Sequence, residues 1–210
     1  MAANPSGPDR VKQASDFRQR LLEILVRDSF QYSDTSQFKL ASGKTSPYYI
    51  NCKKTTYQAE AMNLIGALIF DRISALPVEG IGGLTLGADP IAFAVSMFSY
   101  QQNRPLNAFV VRKTVKEHGT KQAIEGTLSG MKNVVVVEDV VTTGQSALDA
   151  ISKCEEAGLE VFKVVALVDR EEGGREAILA KVPRFDALFT KTDLFNWYQD
   201  QTRKKEPSKK

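Results

Sequence analysis

The chain has 210 residues, of which 42% are hydrophobic and 25% charged, a balance typical of a globular domain with a substantial core. No apolar run approaches the roughly 20 residues of a membrane-spanning helix, so we expect no membrane partner. The chain has a net charge of +3, and the basic C-terminal stretch QTRKKEPSKK alone carries a larger positive charge than this. The rest of the chain therefore has no positive excess that would predict nucleic-acid binding.

Both ends of the chain are polar and predict tails around one domain. The opening MAANPSGPDR lacks the apolar core of a secretory signal, and we expect residues 1–14 to form a flexible tail. A second, basic tail is expected over 201–210, which leaves a single domain over 15–200. Cys52 and Cys154 lie far apart, so free thiols in a reducing compartment, the cytoplasm, are expected rather than a disulfide.

Hydrophobic periodicity predicts alternating helices and strands along the chain. Apolar residues at helical spacing predict helices over 15–27 and 58–73, and Tyr48–Ile50 predicts a strand between them. Beyond residue 73 the alternation is regular. Strands are predicted at 78–82, 107–111, 134–137, 161–168 and 185–189, and helices at 89–100, 144–157, 174–180 and 193–200.

All-apolar strands that alternate with helices predict an α/β fold, with a central, mostly parallel sheet flanked by helices on both faces. Ligands bind such sheets at the carboxyl ends of the strands. This rule brings four segments together along one rim: 82–89, 112–113, 138–139 and 169–170.

The stretch VVVVEDVVTTGQSA, residues 134–147, ends a buried strand with two acids and a glycine turn. The turn opens a helix, whose first N–H groups lack partners and favour an anion. Thr142, Thr143 and Ser146 add hydroxyl donors, and Gly144 lets the backbone approach closely. No lysine follows the glycine, so the turn is not the nucleoside-triphosphate loop but a cradle for one phosphate.

Glu138 and Asp139 stand just before this turn and suit a pair of vicinal hydroxyls as acceptors. A phosphate at one end and a diol at the other describe a ribose 5-phosphate. Alternatively, Glu138 is a solvated strand end and Thr142 or Thr143 caps the helix. Capping explains one threonine but not two acids beside a run of valines.

This stretch resembles the phosphoribosyl-pyrophosphate (PRPP) signature of type I phosphoribosyltransferases: an apolar strand, two acids, two apolar residues and a hydroxyl-rich glycine turn. Many members carry Asp where this chain has Glu138. The resemblance implies the type I phosphoribosyltransferase fold and contacts with PRPP by nine consecutive residues. They are Glu138, Asp139, Val140, Val141, Thr142, Thr143, Gly144, Gln145 and Ser146.

A basic segment, FVVRKTVKEHGTKQAIEG, follows another predicted strand. Cations that close over a pyrophosphate stabilise it as it leaves, although a solvated basic loop is the plainer alternative. Its pattern RK-x-x-K-x-HG resembles the mobile catalytic loop of orotate phosphoribosyltransferases. The resemblance implies a homodimer in which loop 112–126 reaches the partner's PRPP. Arg112, Lys113, Lys116 and His118 would bind PRPP, and Lys116, His118 and Asp139 would be catalytic.

Two further segments point to the base. FKLASGKTSPYYIN, residues 38–51, is similar to that family's N-terminal segment covering the base, which implies a small hood over 15–57, with Tyr48 and Tyr49 at the base, on a core over 58–200. VDREEGGRE resembles the strand end whose arginine binds the orotate carboxylate, here Arg170, because a guanidinium fork matches a planar carboxylate.

The resemblance implies transfer of the phosphoribosyl group from PRPP to orotate, in pyrimidine biosynthesis, with Mg²⁺ held mainly by substrate oxygens and water. Thr142 would meet the pyrimidine edge. For Arg170, an ion pair with Glu171 or Glu172 is the alternative. A purine or uracil phosphoribosyltransferase and a non-catalytic PRPP-binding regulator remain alternative functions.

The chain departs from the family pattern at two places. Many members carry lysines where Ala41 and Gly87 stand, and Leu86 replaces a tyrosine. Lys44 is a candidate replacement for the first lysine. The backbone N–H groups of 82–89 are the candidate for the second.

Overall fold

The computed structural model of the chain describes residues 8–35, 37–39, 45–114 and 122–205. Within these ranges the elements follow in the order α1 (Pro8–Asp28), β1 (Phe30–Tyr32), β2 (Phe38–Lys39), β3 (Thr45–Ser46), β4 (Tyr48–Ile50), α2 (Lys53–Thr56), α3 (Ala59–Ile73), β5 (Gly80–Leu84), α4 (Asp89–Gln101), β6 (Asn107–Val111), β7 (Ile124–Glu125), β8 (Asn133–Val141), α5 (Gln145–Glu156), β9 (Glu160–Asp169), α6 (Gly174–Leu179), β10 (Phe185–Thr190) and α7 (Lys191–Lys205).

Six strands form the central sheet in the order β10-β9-β8-β5-β6-β7. Every neighbouring pair is parallel except β6 with the short β7, so the predicted mostly parallel sheet is confirmed. The chain runs outward from β5 in one direction and from β8 in the other. The boundary between β5 and β8 is therefore the topological switch point, where such sheets bind ligands.

Two hydrophobic cores lie on opposite faces of this sheet. Helices α1, α3 and α4 cover one face together with Val135 and Val137. Helices α5 and α6 cover the other face together with Val134 and Val136. Successive side chains of a strand point to opposite faces, so a strand buried on both sides needs an apolar residue at each of these positions. All four are fully buried.

The N-terminal part carries two small antiparallel sheets, β1 with β4 and β2 with β3. An aromatic cluster ties β1 and β4 to α7, with Tyr32 and Tyr48 against Phe195 at ring-centroid distances of 4.9 and 5.4 Å. Tyr198 joins the same cluster through Tyr32 at 5.8 Å. The division into a hood over 15–57 and a core stays a prediction.

Several boundaries differ from the predicted ones. Helix α1 begins at Pro8 and α7 extends to Lys205, so 8–14 and 201–205 are helical, although we expected them in flexible tails. Proline at the first helical position followed by Asp9 favours a helix start. Strand β8 continues to Val141 rather than ending at residue 137, because its pairing with β9 extends past the two acids.

The sequence did not predict β1, β2, β3, β7 or α2. Each is at most four residues long, too short to show a hydrophobic period. No helix in the described ranges is both long and apolar enough to cross a bilayer.

Candidate active site

The carboxyl ends of four parallel strands meet at one rim, as the sequence predicted. The chain leaves the sheet there after Leu84 of β5, Val111 of β6, Val141 of β8 and Asp169 of β9. Two backbone hydrogen bonds tie the departing segments to their neighbours: the N–H of Arg170 donates to the carbonyl of Val141, and that of Thr85 to the carbonyl of Val111, both at 2.9 Å.

The turn after β8 encloses a cavity of about 90 Å³ lined by Glu138 and by 140–147. Gly144 closes the turn with a φ of +83°, and α5 begins at the next residue. A Cβ at Gly144 would lie only 3.0 Å from the carbonyl oxygen of Gly174, so both the backbone angle and the space require glycine. The small cavity and the unpaired first N–H groups of α5 suit one tetrahedral anion.

Glu138 lies at the inner wall of this cavity and is 6% exposed. Burial, and then the negative charge of Asp139, raise the pKa of the Glu138 carboxyl well above its ordinary value. Its Oε2 has no hydrogen-bond partner among the described residues. A buried acceptor in this condition gains most from a donor brought by a ligand, such as a hydroxyl group.

Asp139 follows Glu138 in β8, and its side chain acts on the Glu138 carboxyl through its charge and a hydrogen bond, both of which add to burial in raising the pKa of Glu138. Its Oδ1 accepts from the N–H of Val140 at 2.9 Å, and its Oδ2 lies 3.9 Å from Nζ of Lys53. The backbone of Gly87 packs against the same carboxylate, since a Cβ at Gly87 would lie 2.4 Å from Oδ1. Both acids lie inside β8, three and two residues before its end, and not beyond the strand end predicted at residue 137.

The basic segment after β6 is anchored at its first residues. Arg112 Nη2 lies 2.5 Å from Glu125 Oε1, an ion pair across the antiparallel β6–β7 edge. Lys153 of α5 donates through Nζ to the carbonyls of Arg112 at 2.7 Å and Lys113 at 2.9 Å. The role of Lys153 was not predicted from the sequence, because most lysines on helices are exposed to solvent and make no such contact.

The remaining predicted residues of that loop, Lys116 and His118, lie outside the described residues, as do Ala41 and Lys44 of the hood. Their predicted roles stay predictions.

Arg170 follows β9 and is buried, with 6% of its surface exposed. Its Nη2 lies 2.8 Å from Oε1 of Glu172, so the alternative ion pair predicted from the sequence is present. Its Nε and Nη2 are both buried and make no hydrogen bond to the described part of the chain, so the contact with Glu172 is an ion pair without hydrogen-bond geometry. A buried guanidinium with an unused donor favours a second, external acceptor.

The two predicted aromatic residues of the base site differ in environment. Tyr48 packs into the aromatic cluster, between Tyr32 and Phe195. Tyr49 points the other way, is 37% exposed and stacks on Phe38 at 5.8 Å. The structure thus gives Tyr48 a packing role, and the contact of either residue with a base stays a prediction.

Comparison with known proteins agrees with this geometry, although no protein-family model matches the chain. The orotate phosphoribosyltransferase of Aquifex aeolicus is 45% identical over 177 residues, 84% of this chain and 97% of that protein. The crystal structure of Mycobacterium tuberculosis orotate phosphoribosyltransferase with Fe(III) dicitrate is 38% identical, with a TM-score of 0.73 over 85% of this chain and 98% of that one. Its complex with PRPP gives 37% and 0.69 over the same shares. The chain belongs to the orotate phosphoribosyltransferase family.

Proposed function

We propose that the chain transfers the 5-phosphoribosyl group of PRPP to orotate, giving orotidine 5'-monophosphate and pyrophosphate in pyrimidine biosynthesis. The observation that supports this most is the small cavity between Glu138 and the first turn of α5. The 5-phosphate would lie on the turn 142–146, with the ribose hydroxyls facing Glu138 and Asp139. The relative from Mycobacterium tuberculosis has a structure in complex with PRPP.

In the proposed reaction a ring nitrogen of orotate attacks C1 of the ribose as the C1–O bond to pyrophosphate breaks. Positive charge develops on the ribose, and the carboxylates of Glu138 and Asp139 would stabilise it. Negative charge develops on the pyrophosphate. Arg112, Lys113 and the loop residues Lys116 and His118 would neutralise that charge, with His118 or Lys116 as the proton donor.

Arg170 would select the base through the carboxylate of orotate. Two nitrogens of its buried guanidinium, Nε and Nη2, make no hydrogen bond among the described residues, although Nη2 lies at ion-pair distance from Glu172. The carboxylate of orotate would accept hydrogen bonds from the guanidinium group. These bonds are stronger than those a neutral edge of a base could form, because both partners are charged. Thr142 and the exposed Tyr49 would line the rest of the pyrimidine.

Mg²⁺ is the expected cofactor, because oxygens of the pyrophosphate and ribose, with water, are the ligands it prefers. The carboxylates of Glu138 and Asp139 fit this donor chemistry, and the unpartnered Oε2 of Glu138 faces the site. Bound there, the ion would neutralise charge on the leaving group. Within the described ranges no three acidic, histidine or cysteine side chains converge.

We propose a homodimer that shares loop 112–126 between subunits. Helix α4 exposes an apolar stripe of Phe93, Met97 and Tyr100, which are 45%, 65% and 75% exposed and recur at i, i+4 and i+7 on one face. Such a stripe suits an interface between two copies.

Mixed dimers test the shared loop. Asp139→Asn and the double variant Lys116→Ala, His118→Ala should each be inactive. Mixing them should restore about a quarter of the wild-type rate, since hybrid dimers would hold one intact site. No recovery after subunit exchange would mean that each loop serves its own site.

The cytoplasm is the proposed location. Cys52 and Cys154 are both buried free thiols, as the sequence predicted, and free thiols persist in a reducing compartment.

The activity is tested by measuring product formation with orotate, uracil, hypoxanthine and adenine in the presence of PRPP and Mg²⁺. We expect turnover with orotate and little with the others, because only orotate carries a carboxylate for Arg170. Turnover only with a purine would overturn the assignment. Absence of turnover with all four bases, together with PRPP binding, would favour the regulator instead.

A further inference from the structure

Two elements other than β8 meet at the carboxylate of Asp139. Gly87, in the turn between β5 and α4, packs its backbone on one side, where an added Cβ would lie 2.4 to 2.9 Å from the carboxylate oxygens. Lys53, at the start of α2, brings Nζ to 3.9 Å from Oδ2 on another side. Lys53 and the Gly87 turn therefore flank the same small space beside the proposed ribose.

Position 87 cannot supply the cation that many family members have there. Any side chain on Gly87 would displace Asp139, because contacts below 3.0 Å with a Cβ do not occur in real structures. Asp139 therefore occupies the space that a side chain at Gly87 would need. A positive charge for the pyrophosphate must come from a different element.

Lys53 has the position and the freedom for this role. Its side chain is 51% exposed, and the 3.9 Å separation from Asp139 is longer than a hydrogen bond, so its three donors are not used by that carboxylate. Arg112, by contrast, already pairs with Glu125. A flexible ammonium beside a carboxylate that binds ribose can reach the group attached to C1.

We propose that Lys53 is a further binding residue of the PRPP site, which contacts the pyrophosphate group and replaces the lysine missing at position 87. This inference rests on the proposed function, since it requires PRPP as the ligand. Lys54, the next residue, lies elsewhere: its charge acts on Asp28, whose pKa is lowered chiefly by Arg27. Lys54 is therefore a matched control with the same charge on the same short helix.

The test compares Lys53→Met and Lys53→Arg with Lys54→Met. Lys53→Met should raise KM for PRPP, and KM for pyrophosphate in the reverse reaction, by about tenfold or more, the loss of a charged hydrogen bond. KM for orotate should change little. Lys53→Arg should recover most of the affinity, and Lys54→Met should match the wild type. Unchanged KM values for PRPP and pyrophosphate in Lys53→Met would overturn the proposal.

A binding measurement separates contact with the ligand from mere support of Asp139. Calorimetry with ribose 5-phosphate, which lacks the pyrophosphate, should give the same affinity for Lys53→Met and the wild type. Equal losses for ribose 5-phosphate and PRPP would mean that Lys53 only orients Asp139, and would overturn the proposal. If the wild type makes no nucleotide from orotate, the proposed function fails, whereas pyrophosphate binding to wild type and Lys53→Met still tests Lys53.

Discussion

Gly144 and Gly158 stand near the two ends of α5 with almost the same backbone angle, φ of +83° and +80°. Alanine in this left-handed region costs about 1–2 kcal/mol at either position. The surroundings differ: nothing lies within 4 Å of a Cβ at Gly158, whereas one at Gly144 meets the carbonyl oxygen of Gly174 at 3.0 Å. The pair therefore separates backbone strain from displacement of the turn that forms the cavity.

We expect both variants to lose stability, by roughly 2–4 °C in Tm for each kcal/mol. Only Gly144→Ala should also move the turn away from Gly174, and with it the N–H groups proposed to hold the 5-phosphate. Its KM for PRPP should rise about tenfold or more, equivalent to ~1.4 kcal/mol of binding, while Gly158→Ala keeps the wild-type KM.

Thermal unfolding and initial rates at varied PRPP, measured on both variants, check this expectation. An equal rise in KM for both would assign the effect to general destabilisation. A normal KM in Gly144→Ala would mean that the turn does not hold the phosphate.

Three more outcomes follow from buried groups. Arg170→Gln should raise KM for orotate about tenfold or more with little change for PRPP, while Glu172→Gln should not; steady-state kinetics would contradict this if both substrates were affected alike. Glu138→Gln should raise the Tm of the ligand-free protein at pH 8. Because the pKa of Glu138 is raised in the folded state, the free energy of unfolding falls as the pH rises above the ordinary pKa of glutamate. The loss is ~1.4 kcal/mol for each unit by which folding raises that pKa. That gain should vanish below about pH 4, and a gain that grows towards acid would contradict it. Burial raises the pKa of Cys154 to about 12 and that of Cys52 well above its usual range, so a thiol reagent at pH 8 should label neither until the protein unfolds; rapid labelling of the native protein would contradict this.

The rim of the sheet was predictable because it depends on the order of elements alone. Parallel strands place their carboxyl ends together, so the segments after β5, β6, β8 and β9 had to converge. That both acids lie inside β8 was not predictable in the same way. It depends on how far β8 continues, and the pairing with β9 that carries it past Glu138 and Asp139 is a tertiary contact.

Details set by contacts distant in sequence were also missed. Tyr48 and Tyr49 are the same residue type in adjacent positions, yet the half-buried Tyr48 packs against Phe195 while Tyr49 is exposed. The sequence showed that position 87 has glycine in place of a lysine. It did not show that the carboxylate of Asp139 packs on the backbone there and leaves no room for a side chain. Lys153 gave no signal because its partners are main-chain carbonyls 40 and 41 positions away.

The central claim is that β8 and the first turn of α5 hold PRPP along one line, and a crystal structure of the protein with PRPP and Mg²⁺ tests it most directly. The 5-phosphate should accept hydrogen bonds from backbone N–H groups of 143–146, and the ribose hydroxyls should donate to Glu138 and Asp139. A PRPP molecule whose 5-phosphate lies elsewhere, for example against Arg112 and Lys113 with the cavity beside Gly144 empty, would contradict the account.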